Sequence, residues 1–184
     1  FDGLKLHSHG LTGQVFDCGE RKNLELPLLG DHQLHNAAVV LAVAETLQEK
    51  GWKITKENIY DGIRDVSWPG RFDIVSRDPL FIIDGGHNPQ CIEALVTNIQ
   101  DYLAGRKVIA LTGVLADKDW PTVMETVAPL AASFTTVTPD NPRALNSAEL
   151  GQWLEHFWFR KPLGFRTEGS AGRLGVRLFG VWPV

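Results

Sequence analysis

The sequence contains little cysteine: Cys18 and Cys91 are the only two among 184 residues. They lie far apart and lack the paired spacing of a zinc site or a redox dithiol, which favours a protein of the reducing cytoplasm. No apolar run approaches the roughly 20 residues that span a bilayer. A signal peptide and an initiator methionine are also missing, so we expect the sequence to begin inside a longer chain.

An excess of basic charge is missing as well. The chain has 18 Lys and Arg against 22 Asp and Glu, a net charge of −4 and a pI near 5.8. Such a chain has no overall positive field to hold nucleic acid or an anionic membrane, so neither is a predicted partner.

Two nucleotide-binding motifs are also absent. The sequence has no G-x-x-x-x-G-K-[ST] phosphate loop and no G-x-G-x-x-G turn with an acid about 20 residues further on. The missing glycine turn argues against a nicotinamide-dependent oxidoreductase. A non-catalytic Rossmann-like nucleotide-binding module stays open, because a fold alone does not fix a function.

From residue 71 onwards the sequence alternates between strand and helix patterns. We predict strands over residues 71–76, 80–84, 107–113 and 133–138, and helices over residues 88–104, 120–131 and 147–157. This alternation favours the α/β class, as a Rossmann-like domain with a mostly parallel sheet and flanking helices.

The two ends of the chain have different patterns. Short strand-like pieces occupy residues 1–27, and helices are predicted over residues 34–50 and from an N-cap at Thr55 to residue 63. The helix over residues 34–50 is apolar over much of its girth, so we expect it to pack on several sides. Residues 156–184 show no clear period, and we treat them as a divergent tail without an assigned element.

The segment Asp84-Gly85-Gly86-His87-Asn88-Pro89 directly follows the apolar run of residues 80–83. Ligand sites in open α/β sheets form where strands end in this way. Asn88 is a predicted N-cap, with Pro89 as the first residue of the next helix. We expect the amides of that helix's first turn to point toward Asp84 and His87 and to attract an anion.

This segment belongs to an ordered set of motifs. Upstream lie Leu28–Ala38 and Trp68-Pro69-Gly70-Arg71-Phe72, and downstream lie Thr112–Asp119 and Thr138–Leu145. Together they resemble the folylpolyglutamate synthases, including the bifunctional dihydrofolate synthases, within the Mur ligase family. The resemblance implies that residues 1–66 end a central ATP-binding domain, that residues 67–155 form the C-terminal glutamate ligase domain, and that residues 156–184 stay unassigned.

The resemblance also implies an activity for the full-length protein. That protein would use ATP and Mg²⁺ to add L-glutamate to a reduced folate, tetrahydrofolate, through an acyl phosphate, with dihydropteroate open as a second acceptor. We expect it to be a cytoplasmic monomer, with its phosphate loop and most Mg²⁺ ligands upstream, and the present 184 residues to be inactive alone. A muramyl peptide ligase of the same family is the alternative, supported by Asp140-Asn141-Pro142-Arg143.

Four residues match family positions that meet the nucleotide. By resemblance, Asn36 approaches the nucleotide, Arg71 reaches its phosphates, Asp84 accepts hydrogen bonds from the ribose hydroxyls, and His87 donates to a phosphate or positions the nucleotide. Each also has a structural alternative: an internal hydrogen bond for Asn36, a surface position for Arg71, a turn cap for Asp84 and a local hydrogen bond for His87.

Two further basic residues are candidates for binding the acidic substrates. Lys118, after a predicted strand, would bind a carboxylate, and Arg143 would clamp the incoming glutamate. Their alternatives are a solvated loop charge and a turn residue. Arg71, His87 and Lys118 are the residues we expect to act in catalysis. His32 and His35 have no further ligand in view, so no metal site is predicted from them.

Overall fold

The computed structural model describes residues 3–106, 108–160 and 176–180. The chain divides into two compact units, Phe1–Arg71 and Phe72–Val184. The first unit contains an antiparallel sheet in the order β1-β2-β3, followed by two helices. Its elements are β1 (Leu4–Gly10), β2 (Gly13–Cys18), β3 (Arg21–Leu26), α1 (Asp31–Glu49) and α2 (Lys56–Arg64).

Helix α1 begins three residues before the predicted start at residue 34. Gly30 turns the chain with φ 104° and ψ 150°, a conformation that favours glycine, and its carbonyl accepts from Gln33 N at 3.0 Å. The side chain of Gln14 also donates to the Gly30 carbonyl, at 3.1 Å. The apolar pattern missed this first turn because Asp31-His32-Gln33 is polar, although Gln33 is only 4% exposed.

One face of α1 packs within the first unit and another is exposed. The buried side includes Leu34, Ala37 and Leu41, which lie in a core with Phe16, Leu24, Leu26, Ile59 and Ile63. Ala38 is also buried. Val39, Val40 and Val43 are 49%, 56% and 53% exposed. The expectation of packing on several sides is therefore wrong for the described residues, because the three-stranded sheet and α2 cover only one side.

Helix α2 starts where the sequence predicts. The hydroxyl of Thr55 accepts from Asn58 N at 3.2 Å, and Asn58 Oδ1 accepts from Thr55 N at 2.9 Å. This reciprocal capping box satisfies two amides that the helix itself cannot pair. The N-cap prediction at Thr55 is confirmed.

In its described residues, the second unit has a five-stranded sheet in the order β4-β5-β8-β6-β7 and three α-helices. The pair β4–β5 is antiparallel and the other pairs are parallel, so the predicted α/β class with a mostly parallel sheet is confirmed. Its strands are β4 (Asp73–Arg77), β5 (Leu80–Ile83), β6 (Val108–Thr112), β7 (Ala131–Thr136) and β8 (Val176–Gly180). Its helices are α3 (Pro89–Tyr102), α4 (Trp120–Val127) and α5 (Ser147–Arg160).

Helix α4 is shorter than the predicted span of residues 120–131. It ends at Val127, and a single 3₁₀ turn over Ala128–Leu130 follows. Pro129 lies in that turn. A proline inside an α-helix has no N–H to donate and clashes with the preceding turn, so the α-helix cannot continue through it.

Part of the segment left unassigned by the sequence lies inside the sheet. Helix α5 continues past residue 156 to Arg160, and β8 lies between β5 and β6. In that row Arg177 pairs with Phe81 on one side and with Ile109 on the other. Val176-Arg177-Leu178-Phe179-Gly180 lacks the continuous apolar run that marks a central parallel strand, because Arg177 interrupts it. Among the described residues, no helix is both long and apolar enough to cross a membrane.

Candidate functional site

The parallel strands of the second unit end in one row. Ile83 pairs with Phe179, Phe179 with Leu111, and Leu111 with Thr135. The loops after β5, β6 and β7 therefore begin at the same edge of the sheet, where open α/β sheets bind ligands. Because β8 separates β5 from β6, the first two loops start about 10 Å apart. The four candidate residues of this unit, Asp84, His87, Lys118 and Arg143, all lie in these loops.

Asp84 is half-buried and uses both carboxylate oxygens to hold backbone. Its Oδ1 accepts from Gly86 N at 2.7 Å, and its Oδ2 accepts from Phe72 N at 2.9 Å. The structural role that the sequence left open, capping the turn, is therefore present.

Gly86 is required by close packing. A Cβ at this position would lie 2.8 Å from Asp84 Oδ1 and 3.1 Å from Cys91 Cβ, and the first of these distances is shorter than real contacts allow. The turn after β5 thus passes directly against the first turn of α3. Glycine permits this close approach because it has no Cβ.

His87 is half-buried and bonds locally. Its Nδ1 lies 3.2 Å from the carbonyl oxygen of Gly85, a contact that needs the ring proton on Nδ1. In the neutral ring that tautomer makes Nε2 an acceptor. His87 in this rotamer would donate from Nε2 to a phosphate only as the imidazolium. The neutral ring in this rotamer could not serve as the phosphate donor expected from the sequence.

Helix α3 is capped as predicted, but the capping residue occupies backbone amides of the first turn. Asn88 Oδ1 accepts from Cys91 N at 2.8 Å, and the Asn88 carbonyl accepts from Ile92 N at 3.1 Å. Pro89 has no N–H. The N-cap prediction is confirmed. Of the first-turn positions 89–91, these contacts leave the backbone amide of Gln90 for the anion that we expected there.

The loops after β6 and β7 are joined by backbone hydrogen bonds. Gly113 lies at the centre of this junction, because a Cβ there would be 2.8 Å from the Val137 carbonyl oxygen and 2.9 Å from Pro139 Cγ. The bonds run from Val137 N to Thr112 O at 2.8 Å, from Leu145 N to Val114 O at 2.9 Å and from Ala116 N to Arg143 O at 2.8 Å. The two loops therefore form one platform at the edge of the sheet.

That platform brings Arg143 to Asp117. Arg143 Nη1 donates to Asp117 Oδ2 at 2.9 Å, with the two side chains 55% and 47% exposed. Lys118 is exposed in the same loop, and Asp119 caps α4 by accepting from Thr122 N. Sequence reasoning missed Asp117 as the partner of Arg143. The opposite charges of these two residues, each in a loop that follows a parallel strand, were the available signal.

The two candidates in the first unit have local partners. Asn36 is exposed on α1, and its Nδ2 donates to Gln33 Oε1 at 3.0 Å. Arg71 is half-buried, with its guanidinium carbon 5.8 Å from the centroid of the Trp68 ring.

The described residues do not offer a Mg²⁺ site. In that part of the chain, no group of three or more His, Cys, Asp or Glu side chains could hold a metal ion. His35 instead lies against Asp31, with 3.1 Å between its Nδ1 and the Asp31 carbonyl oxygen.

Comparison with known proteins identifies the second unit. Residues 70–163, just over half of the chain, match the family model for the Mur ligase, glutamate ligase domain. The chain is 36% identical over 150 residues to the folylpolyglutamate synthase of Lacticaseibacillus casei, covering 78% of this chain and 34% of that protein. It is 31% identical over 140 residues to the UDP-N-acetylmuramoyl-L-alanyl-D-glutamate–2,6-diaminopimelate ligase of Caldanaerobacter subterraneus subsp. tengcongensis, covering 74% of this chain and 28% of that protein.

A solved structure extends the likeness to both units. An FPGS–AMPPCP–folate complex superposes with a TM-score of 0.68 at 28% identity, covering 96% of this chain and 41% of that one. The present chain thus spans less than half the length of the proteins that it matches. The resemblance inferred from the sequence motifs is confirmed.

Proposed function

We propose, since this chain belongs to the Mur ligase family and carries its glutamate ligase domain, that it is the C-terminal part of an ATP-dependent ligase that joins L-glutamate to tetrahydrofolate. The observation that carries the proposal is the 36% identity to a folylpolyglutamate synthase over 150 residues, a stretch longer than either unit. The relative bound to AMPPCP and folate supports ATP and a folate as substrates.

The proposed reaction requires control of charge more than a protein nucleophile. ATP would phosphorylate the folate carboxylate, the amino group of glutamate would attack the acyl phosphate, and phosphate would leave with an amide formed. Positioned cations stabilise the migrating phosphoryl group, and exclusion of water protects the acyl phosphate. ATP is the cofactor in this proposal, and Mg²⁺ ligands would come from outside the described residues.

Four residues would serve the nucleotide. Arg71 would bind its phosphates, because the fixed donors of a guanidinium match phosphate oxygens. Asp84 would accept hydrogen bonds from the ribose hydroxyls, and His87 would lie beside the phosphates. Asn36 would contact the nucleotide from its exposed place on α1.

Lys118 and Arg143 would serve the acidic substrates. Both lie on the platform formed by the loops after β6 and β7, which supports a shared role in binding carboxylates. Since Arg143 already donates to Asp117, an incoming carboxylate of glutamate would share the guanidinium with Asp117 or displace it.

We also propose that residues 1–66 end a central ATP-binding domain. The support is the exposed apolar face of α1, with Val40 56% and Val43 53% exposed, since large apolar patches usually mark an interface. In the longer protein this face would pack against the preceding part of the same domain.

A muramyl peptide ligase is the second candidate. It is favoured by the 31% identity to a diaminopimelate-adding ligase over 140 residues. The two candidates share ATP and the acyl phosphate and differ in the acceptor. The acceptor therefore decides between them.

The test is incorporation of labelled amino acid by the purified full-length protein. Tetrahydrofolate, dihydropteroate and a UDP-muramyl dipeptide are offered with ATP and L-glutamate or diaminopimelate. ATP-dependent glutamate transfer to tetrahydrofolate is the expected result, and transfer of diaminopimelate to the muramyl acceptor alone would overturn it. Incorporation by the 184-residue chain alone would contradict its proposed dependence on upstream residues.

Two variants test the proposed binding roles of Arg71 and Arg143 in the same assay. Arg71→Ala should lower kcat/KM for ATP by at least about tenfold, and Arg143→Ala should raise KM for glutamate by a similar factor. Arg106→Ala is the matched control, because Arg106 is exposed before β6 and so lies at the opposite edge of the sheet. Wild-type kinetics in Arg71→Ala or Arg143→Ala would remove that residue from the site.

A further inference from the structure

Arg71 and Trp68 are brought together by the turn that they bracket. Pro69 fixes its own φ, and Gly70 adopts the left-handed region with φ 74°. The chain reverses there, so the guanidinium carbon of Arg71 lies 5.8 Å from the centroid of the Trp68 ring. That distance is within the range of a cation–π contact, and tryptophan is the strongest partner for one.

Arg71 has a different kind of neighbour from three other arginines of the described residues. Arg21, Arg64 and Arg143 each pair with a carboxylate. No carboxylate of the described residues lies within ion-pair distance of Arg71, whose guanidinium has the Trp68 ring beside it. A carboxylate partner would offset the positive charge and compete with an anionic ligand, whereas an aromatic face orients the cation without an opposing charge.

Trp68 is also unusually exposed for its size, at 57%. Burial therefore does not account for a tryptophan at this place. The indole has no lone-pair acceptor that would compete with phosphate oxygens for the N–H donors of Arg71.

We propose that Trp68 is a positioning residue for Arg71, its indole face holding the guanidinium oriented for the nucleotide phosphates. This inference rests on the proposed role of Arg71 as the phosphate-binding arginine. Trp68 itself touches no reacting atom in this proposal. Its contribution is to restrict a long side chain before the nucleotide arrives.

The contact can be tested first on the 184-residue chain. Ring current from Trp68 should shift the Arg71 side-chain protons upfield in NMR spectra, and Trp68→Ala should abolish the shift while Trp68→Phe keeps part of it. Lys56 over the Tyr60 ring, at 5.3 Å, is an internal control whose shifts should not change. Unshifted Arg71 protons in the wild-type chain would overturn the proposal.

The role is tested by a double-mutant cycle in the full-length ligase. Trp68→Ala should lower kcat/KM for ATP by about two- to fivefold, the size of one exposed cation–π contact. It should have no further effect in an Arg71→Ala background, and Trp68→Phe should keep most of the activity. Equal losses with and without Arg71 would mean that Trp68 acts independently, for instance by stacking on the base, and would overturn this inference alone. Wild-type kinetics in Arg71→Ala would instead remove the phosphate role of Arg71, and this inference with it, even if the NMR contact is present.

Discussion

The carboxylate of Asp84 accepts a hydrogen bond from the backbone N–H of Phe72, twelve residues earlier, with 2.9 Å between Oδ2 and N. Phe72 has φ 46°, a left-handed conformation that is strained for a bulky residue. Its ring is 2% exposed and lies 5.9 Å from that of Tyr102, centroid to centroid. Asp84 and this burial together hold the strained start of the β4–β5 hairpin.

Replacing Asp84 should therefore destabilise the second unit. Asp84→Ala leaves the amides of Phe72 and Gly86 without their acceptor, and we expect a loss of about 1.5–3 kcal/mol in the free energy of unfolding. Asp84→Asn keeps one carbonyl oxygen and should lose less. The measurement is urea unfolding with hydrogen exchange of the β5 amides, with Asp101→Ala, an exposed acid on α3, as the control. Unchanged exchange in Asp84→Ala would contradict the anchoring role, and any kinetic test of Asp84 needs this stability measurement beside it.

Gly86→Ala should also destabilise the second unit, for a steric reason. The new methyl group would lie 2.8 Å from Asp84 Oδ1 and 3.1 Å from Cys91 Cβ, and overpacking of this kind costs about 1–3 kcal/mol. Gly151→Ala is the matched control in the same unit. Its methyl group would lie 3.4 Å from Thr136 Oγ1, an ordinary contact, and a helix gains up to about 1 kcal/mol from the exchange. Melting temperatures that shift equally in the two variants would refute the close packing at Gly86.

The first unit should lose stability in acid through Asp17. The pKa of this carboxyl lies below its usual 3.8, chiefly because the backbone amide of Asn23 donates to it and also because His7 hydrogen-bonds to it. A folded-state pKa below the unfolded value means that the stabilisation is complete above the unfolded pKa and is lost as pH falls through the folded pKa.

Asp17→Asn should remove that part of the acid dependence. Unfolding midpoints of the first unit, measured from about pH 6 down to about pH 2, should fall less steeply below about pH 4 in the variant than in the wild type. Glu20→Gln removes the same charge from the neighbouring turn and controls for the change in net charge. Identical profiles for wild type and Asp17→Asn would rule out this contribution.

The exposed face of α1 predicts self-association of the 184-residue chain. Val40→Glu/Val43→Glu should lower the association measured by sedimentation velocity at rising concentration, because it breaks the apolar patch. Stability should change by less than about 0.5 kcal/mol per site, since both positions are largely exposed. Gln100→Glu/Gln152→Glu adds the same charge at exposed positions elsewhere. If both pairs reduce association equally, net charge and not this face is responsible.

Sequence reasoning was most successful where the signal was local. The apolar run of β5, the caps at Thr55 and Asn88 and the order of strands and helices each depend on neighbouring residues, and the structure has them. The turn after β5 was also recognisable, because Asp and Gly have few other uses at the end of a buried strand.

The features that escaped prediction depend on residues distant in sequence or on the shape of a turn. Asp117 meets Arg143 only because two loops are joined at the sheet edge. Asp84 anchors Phe72, and Trp68 faces Arg71, through turns whose shape a residue pattern does not encode. The ligand roles of these residues stay predictions, since they concern molecules that the pattern and the fold describe only by analogy.

The position of β8 has a consequence for synthesis. During translation, β5 and β6 emerge early, yet the strand that pairs with both is specified by Val176–Gly180. Until the ribosome has released those residues, the nascent sheet has an open slot at its centre, with unpaired backbone on each side. A stop codon anywhere before residue 176 would therefore divide this sheet into two ribbons.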